Sequence, residues 1–316
     1  MVNCSVVPAS TPSNSGIAGT GVLLSFIITA AIALLISAAL ILQDTFGAVA
    51  RERKANGGLD PPLSAKSSQP SCGHVATVIA RKLLNSYSDQ QIVTGIGIQS
   101  LGLAQVGKLV PYHFFLIWML GLLSTAVHNA ALLALVHDFR RDCILRWLRQ
   151  LLMFINLALS CVYGVYVLRE LAVGLPQTLP VACAWDDGSA GRASDIDWEK
   201  TAGGFQFVAT VVVIAGNCIV FVLSTWYLHS RMQRFYRIVQ TVGLVLMGAV
   251  AIGVTIRVIL LSQAFGHPSV DLSDLDETSW SFGQLLSLLL LLLPLVVLKC
   301  LHVLELLLLR LLLLRL

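Results

Sequence analysis

Charge is the commodity this sequence lacks most. Asp, Glu, Lys and Arg make up only 12% of 316 residues while 56% are hydrophobic, so the chain cannot give a soluble globule a polar shell and lipid is its expected solvent. The seven cysteines are scattered, with no Cys-x-x-Cys pair and no histidine at ligand spacing beside them, which argues against a zinc site. Neither a metal nor a cofactor is expected. Residues 1–16 contain no Lys or Arg, and the apolar run that follows is too long for a signal-peptide core, so that run reads as a membrane span. No internal repeat is present, which removes support for an inverted-repeat transporter. Catalytic motifs of high specificity are also missing. The formal net charge of +4 does not gather on one face, so no nucleic-acid partner is implied.

What the chain does have is apolar runs of membrane-crossing length, about 20 residues each. Seven are expected: Ile17–Leu42, Ile92–Gly107, Tyr112–Val136, Leu148–Leu168, Phe205–Leu228, Ile238–Leu261 and Ser281–Leu298. The fold class is therefore all-α, a polytopic seven-helix bundle. The spans rest on apolar length alone, and Arg51, Arg53, Lys54, Arg81, Lys82, Arg146, Arg149, Arg231, Arg234, Arg237 and Lys299 fall on one side, against Lys108, Arg169, Arg192 and Lys200 on the other, if the N-terminus is exoplasmic and the C-terminus cytosolic. The long loops assigned to the other side are acidic. This divides the chain into an exoplasmic tail (1–16), a first span (17–42), a cytosolic loop (43–91), the remaining six spans (92–300) and a Leu-rich tail (301–316). Within the loop, residues 55–71 read as a flexible linker and 74–84 as an interfacial helix. The second span, with Gly95, Gly97, Gly102, Gln99 and Gln105, is expected to pack inside the bundle through its small residues.

Polar side chains inside spans are costly and mark either a site or an interhelical bond. They fall into two layers. Near the exoplasmic face lie Gln105, Tyr112, His113, Arg169, Glu170, Gln206, Arg257, Trp280 and Gln284, on six helices. One reading makes this a pocket that opens outward, with Glu170 as acid or counter-ion of Arg257, His113 able to change charge near neutral pH, and Arg257, Gln284, Trp280 and Tyr112 contacting a substrate. The plainer reading is a belt of snorkelling arginines and interfacial aromatics. The cytosolic layer holds Asp89, Gln90, Gln91, His128, Asn129, His137, Asp138 and Asn156. Asp89 suits a helix N-terminus, and His128 is a substrate contact or an interhelical bond.

Cys4 and Cys183 fall on the exoplasmic side and could pair. Asn3-Cys4-Ser5 is formally a glycosylation acceptor on the same side. A multi-pass protein of the endoplasmic reticulum or plasma membrane is expected, with the bilayer and a lipophilic small molecule as its partners.

Three segments carry a resemblance: Ser88-Asp89-Gln90-Gln91-Ile92-Val93-Thr94-Gly95-Ile96, then Tyr112-His113 with His128 further on, then Trp280-Ser281-Phe282-Gly283-Gln284 followed by Leu289–Pro294. Over roughly residues 75–300 the chain resembles a family of polytopic membrane proteins from filamentous fungi, most of which have no assigned activity. In size and topology it is also similar to the membrane-bound terpene cyclases of fungal meroterpenoid pathways. That likeness implies a proton-initiated cyclisation, which needs an acid, aromatic faces and a dry cavity. Glu170 or Asp89 would supply the acid, with His113 as a further candidate, while Trp118, Tyr163, Tyr166 and Trp280 would line the cavity.

The alternative is a seven-helix receptor, or a transporter-like or structural membrane protein. The third span ends in His137-Asp138-Phe139-Arg140-Arg141, only loosely like a receptor switch. The seventh has no Asn-Pro-x-x-Tyr run, and Lys299 is too shallow for a retinal Schiff base. Sparse mid-membrane charges offer a transporter no ion path.

Overall fold

A computed structural model describes residues 4, 6–56, 72–139, 143–186, 202–229, 236–268 and 270–313. Among these residues there is no strand, only one isolated bridge between Thr11 and Leu272. Seven long helices account for most of the described chain: α1 (Thr20–Asn56), α2 (Cys72–Ala104), α3 (Pro111–Ala134), α4 (Cys143–Val173), α5 (Ala202–His229), α6 (Tyr236–Leu261) and α7 (Phe282–Leu313). Among the described residues, five helical segments are long and apolar enough to cross a membrane: Ser15–Gly47, Pro111–Ala134, Arg146–Val173, Gln206–His229 and Tyr236–Leu261. The protein is thus an all-helical, multi-pass membrane protein. Phe282–Val296 is a shorter apolar stretch. In α2 the apolar residues are diluted by Gln90, Gln91, Thr94 and Gln99.

The bundle is built around α3. Every residue of this helix except Phe115 is buried. Helices α1, α2, α4 and α6 pack on it along its length, with α5 closing the remaining side. A helix surrounded by protein need not be apolar all round, which is why Ser124, Thr125, His128 and Asn129 are tolerated in it. The fully surrounded helix is therefore the third, and the second packs in the bundle through its small residues as expected, since a Cβ at Gly95 would run into Ser124 and one at Gly102 into Tyr163. In α2, Val93 and Leu101 are well exposed, and only one face turns inward.

Residues 74–84 are the first turns of Cys72–Ala104, one uninterrupted helix of 33 residues, about 50 Å long. Its first turns pack beside the end of α1, where Gln43 and Thr77 exchange side-chain hydrogen bonds and Arg81 lies 3.9 Å from Asp44. Val75, Val78 and Ile79 remain exposed in these turns. Residues 57–71, most of the expected linker, lie outside the described residues, as does Asn3.

One end of the bundle is tied shut by the N-terminal segment. Cys4 and Cys183 form a disulfide across 179 residues. Cys183 sits in the short 3-10 helix Val181–Trp185, which follows α4 after a left-handed turn at Gly174. Val181 N–H donates to Leu109 O at 2.9 Å, which straps this segment over the α2–α3 connection. Thr11 exchanges backbone bonds with Asp271 and Ser273 of the α6–α7 loop. Next to it, Gly21 lets α1 approach α7, since a Cβ there would stand 2.6 Å from the Cβ of Gln284. We call this the disulfide end, and the end carrying Arg81 and Arg149 the basic end.

Candidate functional site

The layer expected near the disulfide end separates into three unconnected groups. The first is sealed. Glu277, from the α6–α7 loop, has no exposed surface and accepts from Tyr112 Oη at 2.8 Å, His113 Nε2 at 2.7 Å and the Asn14 backbone amide at 3.2 Å. Tyr112 in turn accepts from the Gln263 amide at 3.0 Å. The Glu277 carbonyl receives both the amide and the hydroxyl of Thr20 at 3.1 Å. Gln284 lies beside this cluster, accepting from the Gly21 amide at 3.1 Å and donating to Ser279 O at 2.9 Å. The cluster joins α1, α3, α7 and two loops, and every polar atom named here has a partner. Sequence reasoning placed Tyr112, His113 and Gln284 at one level but left Glu277 among the surface acids of its loop. The usable signal was indirect: two adjacent donors opening a span need an acceptor that their own helix does not supply.

The second group surrounds the C-terminal end of α4. Glu170 is buried and is hydrogen-bonded by the Gln177 side chain. Arg169 donates to Ala184 O at 3.2 Å and lies over the Trp185 ring. Trp280 is exposed and belongs to neither group.

The third group is open. Between α5 and α6, with α3 as its floor, lies a cleft of about 370 Å³, within the range of small-molecule sites. Arg257 and Gln206 stand at its disulfide end, Phe115 and Trp118 form its floor, and Val213 with Ala249 mark its deep end. From Arg257 to Ala249 is eight residues of helix, about 12 Å of depth. Phe115, the one residue of α3 that is not buried, faces this cleft. Glu170 does not line it, so the structure does not bring Arg257 and Glu170 together there as expected.

Deeper in the bundle the polar residues form a connected ladder. Gln99 on α2 donates to Asn156 Oδ1 at 2.9 Å and accepts from Ser160 Oγ at 3.1 Å, both on α4; Asn156 donates to Thr125 on α3 at 3.0 Å. Trp118 donates to Ser160 O, and Tyr163 donates to Gln99 O. These two aromatics are thus anchored by their polar ends, and of the pair only Trp118 also lines the cleft. His128 lies between Ser88 and Ser124. Because Ser124 already donates to Gln91 O at 2.7 Å, the His128 Nε2 proton points to Ser124 Oγ at 3.0 Å. The His128–Ser124 bond lies within α3, and the link to α2 runs through Ser124 to Gln91 and through Ser88, 3.5 Å from His128 Nδ1.

At the basic end, Asp89 is ion-paired with Arg149, which also donates to Asn85. Asp138 pairs with Arg81 at 3.1 Å. The His137 side chain lies outside what is described.

The candidate site is therefore the α5–α6 cleft: it combines empty volume, an aromatic floor and a guanidinium at its rim. No protein family, no curated protein and no solved structure matches this chain.

Proposed function

We propose that this protein crosses the bilayer seven times, with the disulfide end exoplasmic and the basic end cytosolic, and that it acts on a lipophilic small molecule held in the cleft between α5 and α6. A disulfide at one end suits an oxidising compartment, and the concentration of Arg and Lys at the other suits the cytosolic face. Either the endoplasmic reticulum or the plasma membrane meets both conditions. The single observation carrying the functional reading is the cleft itself, since its volume falls in the range of small-molecule sites and its lining joins an aromatic floor to a guanidinium.

For the chemistry, we infer a cyclisation of a prenylated substrate, as in the membrane-bound terpene cyclases of fungal meroterpenoid pathways. Phe115 and Trp118 would face positive charge developing on the hydrocarbon. None of the three candidate acids lines the cleft, so the proton donor would act on a part of the substrate that extends beyond it, and Glu170, at the end of α4, is the acid without an ionic partner. Asp89 is held by Arg149 and His113 by Glu277, whereas Glu170 has only an amide as its partner.

Microsomes containing the full chain, incubated with a prenylated aromatic substrate and analysed by chromatography and mass spectrometry, test this reading. A cyclised isomer should form with the wild type and with Asp89→Asn, and fall at least about tenfold with Glu170→Gln, the scale expected for loss of a general acid. No turnover by the wild type, or unchanged turnover by Glu170→Gln, would reject the cyclase reading.

A further inference from the structure

Among the described residues, Arg257 has no hydrogen bond, ion pair or ring contact. It is exposed within a segment apolar enough to cross a membrane, on the rim of the cleft. A guanidinium at that depth demands an anion or water, and its planar fork of donors matches the oxygens of a phosphate or carboxylate. Directly across the cleft stands Gln206, whose side chain makes none of the described hydrogen bonds and whose backbone carbonyl is already engaged by Thr210. Below these two groups the walls are apolar to the deep end at Val213 and Ala249. The polar residues are thus gathered at one end of an apolar slot about 12 Å deep.

We propose that the cleft binds a single-chain amphiphile of the membrane, its anionic head paired with Arg257 and hydrogen-bonded by Gln206, and its hydrocarbon laid against Phe115 and Trp118. This names the ligand class of the site described above and rests on that reading. Charge complementarity selects the head, and a volume of about 370 Å³ leaves room for one hydrocarbon chain. A neutral lipid would leave the guanidinium without an anion, and a soluble anion would leave the apolar walls unfilled. Gly253 supplies a clean means of closing the slot. It lines the cleft, and a Cβ there would meet nothing within 4 Å, so a larger side chain starts from open space at the cleft wall.

The test uses the full chain in detergent micelles, titrated with palmitoyl lysophosphatidic acid and, in parallel, with neutral monopalmitoylglycerol, with bound molecules counted by native mass spectrometry. The wild type should bind the phosphate amphiphile at least about tenfold more tightly than the neutral one, and inorganic phosphate at equal concentration should not compete. Arg257→Gln should abolish the preference and Arg257→Lys should keep part of it, which separates loss of charge from loss of fold. Gly253→Leu should weaken both ligands. If the wild type shows no preference while Gly253→Leu still removes binding, the anionic assignment fails and the lipophilic site stands. If Gly253→Leu changes neither ligand, both fail.

Discussion

Glu277 and Arg257 stand near the same end of the bundle and have opposite surroundings. Glu277 is completely enclosed and accepts from three groups drawn from α3 and the N-terminal segment. Arg257 is exposed, faces an empty cleft and has no partner among the described residues. Both are charged groups in a largely apolar protein, yet only one is completed by the fold. A saturated polar cluster holds helices together, because removing any member leaves the others buried and unbonded. An unsaturated one at the rim of a void is where a ligand completes the structure.

The sharpest way to break this contrast is Glu277→Ala. It strips the shared acceptor from Tyr112, His113 and the Asn14 amide, and should cost about 3–5 kcal/mol. The measurement is thermal unfolding in detergent beside Arg257→Gln, which should shift the transition little. Equal effects of the two substitutions would mean that the clusters do not differ in kind.

A glycine pair sharpens the comparison at intermediate size. A methyl group at Gly95 would run into the Ser124 hydroxyl and stand 2.8 Å from the Asn156 amide oxygen, so Gly95→Ala should destabilise by about 1–3 kcal/mol. Gly253→Ala enters open space on a helix and should be neutral or stabilising by up to about 1 kcal/mol. Chemical denaturation of the two variants in the same micelle checks the sign. Destabilisation by Gly253→Ala would show that the cleft is filled by protein.

The smallest expected effect lies in the loop that covers the Glu277 cluster. The Ser13 hydroxyl, with the backbone amides of Asp276 and Ser13, holds the Asp274 carboxyl below its ordinary range. A lowered folded-state value means that the stabilisation is present above the usual carboxylate range and fades as pH falls through the depressed value. Exchange protection of the Thr11 and Ser273 amides should therefore decline only at strongly acidic pH, and Asp274→Asn should remove that dependence. An identical profile in the variant would show that Asp274 does not hold the segment.

Much of the fold could be read from the sequence because long apolar runs in lipid have few alternatives to a helix. Pro111 opens α3 where its fixed φ and missing N–H cost nothing, and the apolar run of Tyr112–Val136 already marked the helix. The identity of the buried helix was harder to read, since glycines in α2 suggested close packing while the polar residues of α3 suggested a site. In a bundle, both kinds of residue report contact with protein, and only tertiary structure says which helix is surrounded. His128 illustrates this: a histidine in mid-span reads as a binding group until Ser88 and Ser124 are seen on either side of it. Glu277 was illegible, because its burial depends on the N-terminal segment folding over a loop some 260 residues away in sequence. Arg257 was legible as an anomaly, but its partner was sought in Glu170, on a helix that does not border the cleft.

An electron cryo-microscopy map of the full chain in lipid nanodiscs, with a rigid antibody fragment bound for alignment, tests the central claim most directly. The account predicts elongated non-protein density between α5 and α6, running from Arg257 toward Val213 and Ala249, and none beside Glu277 and His113. A cleft that is empty, or one filled by protein, would contradict it.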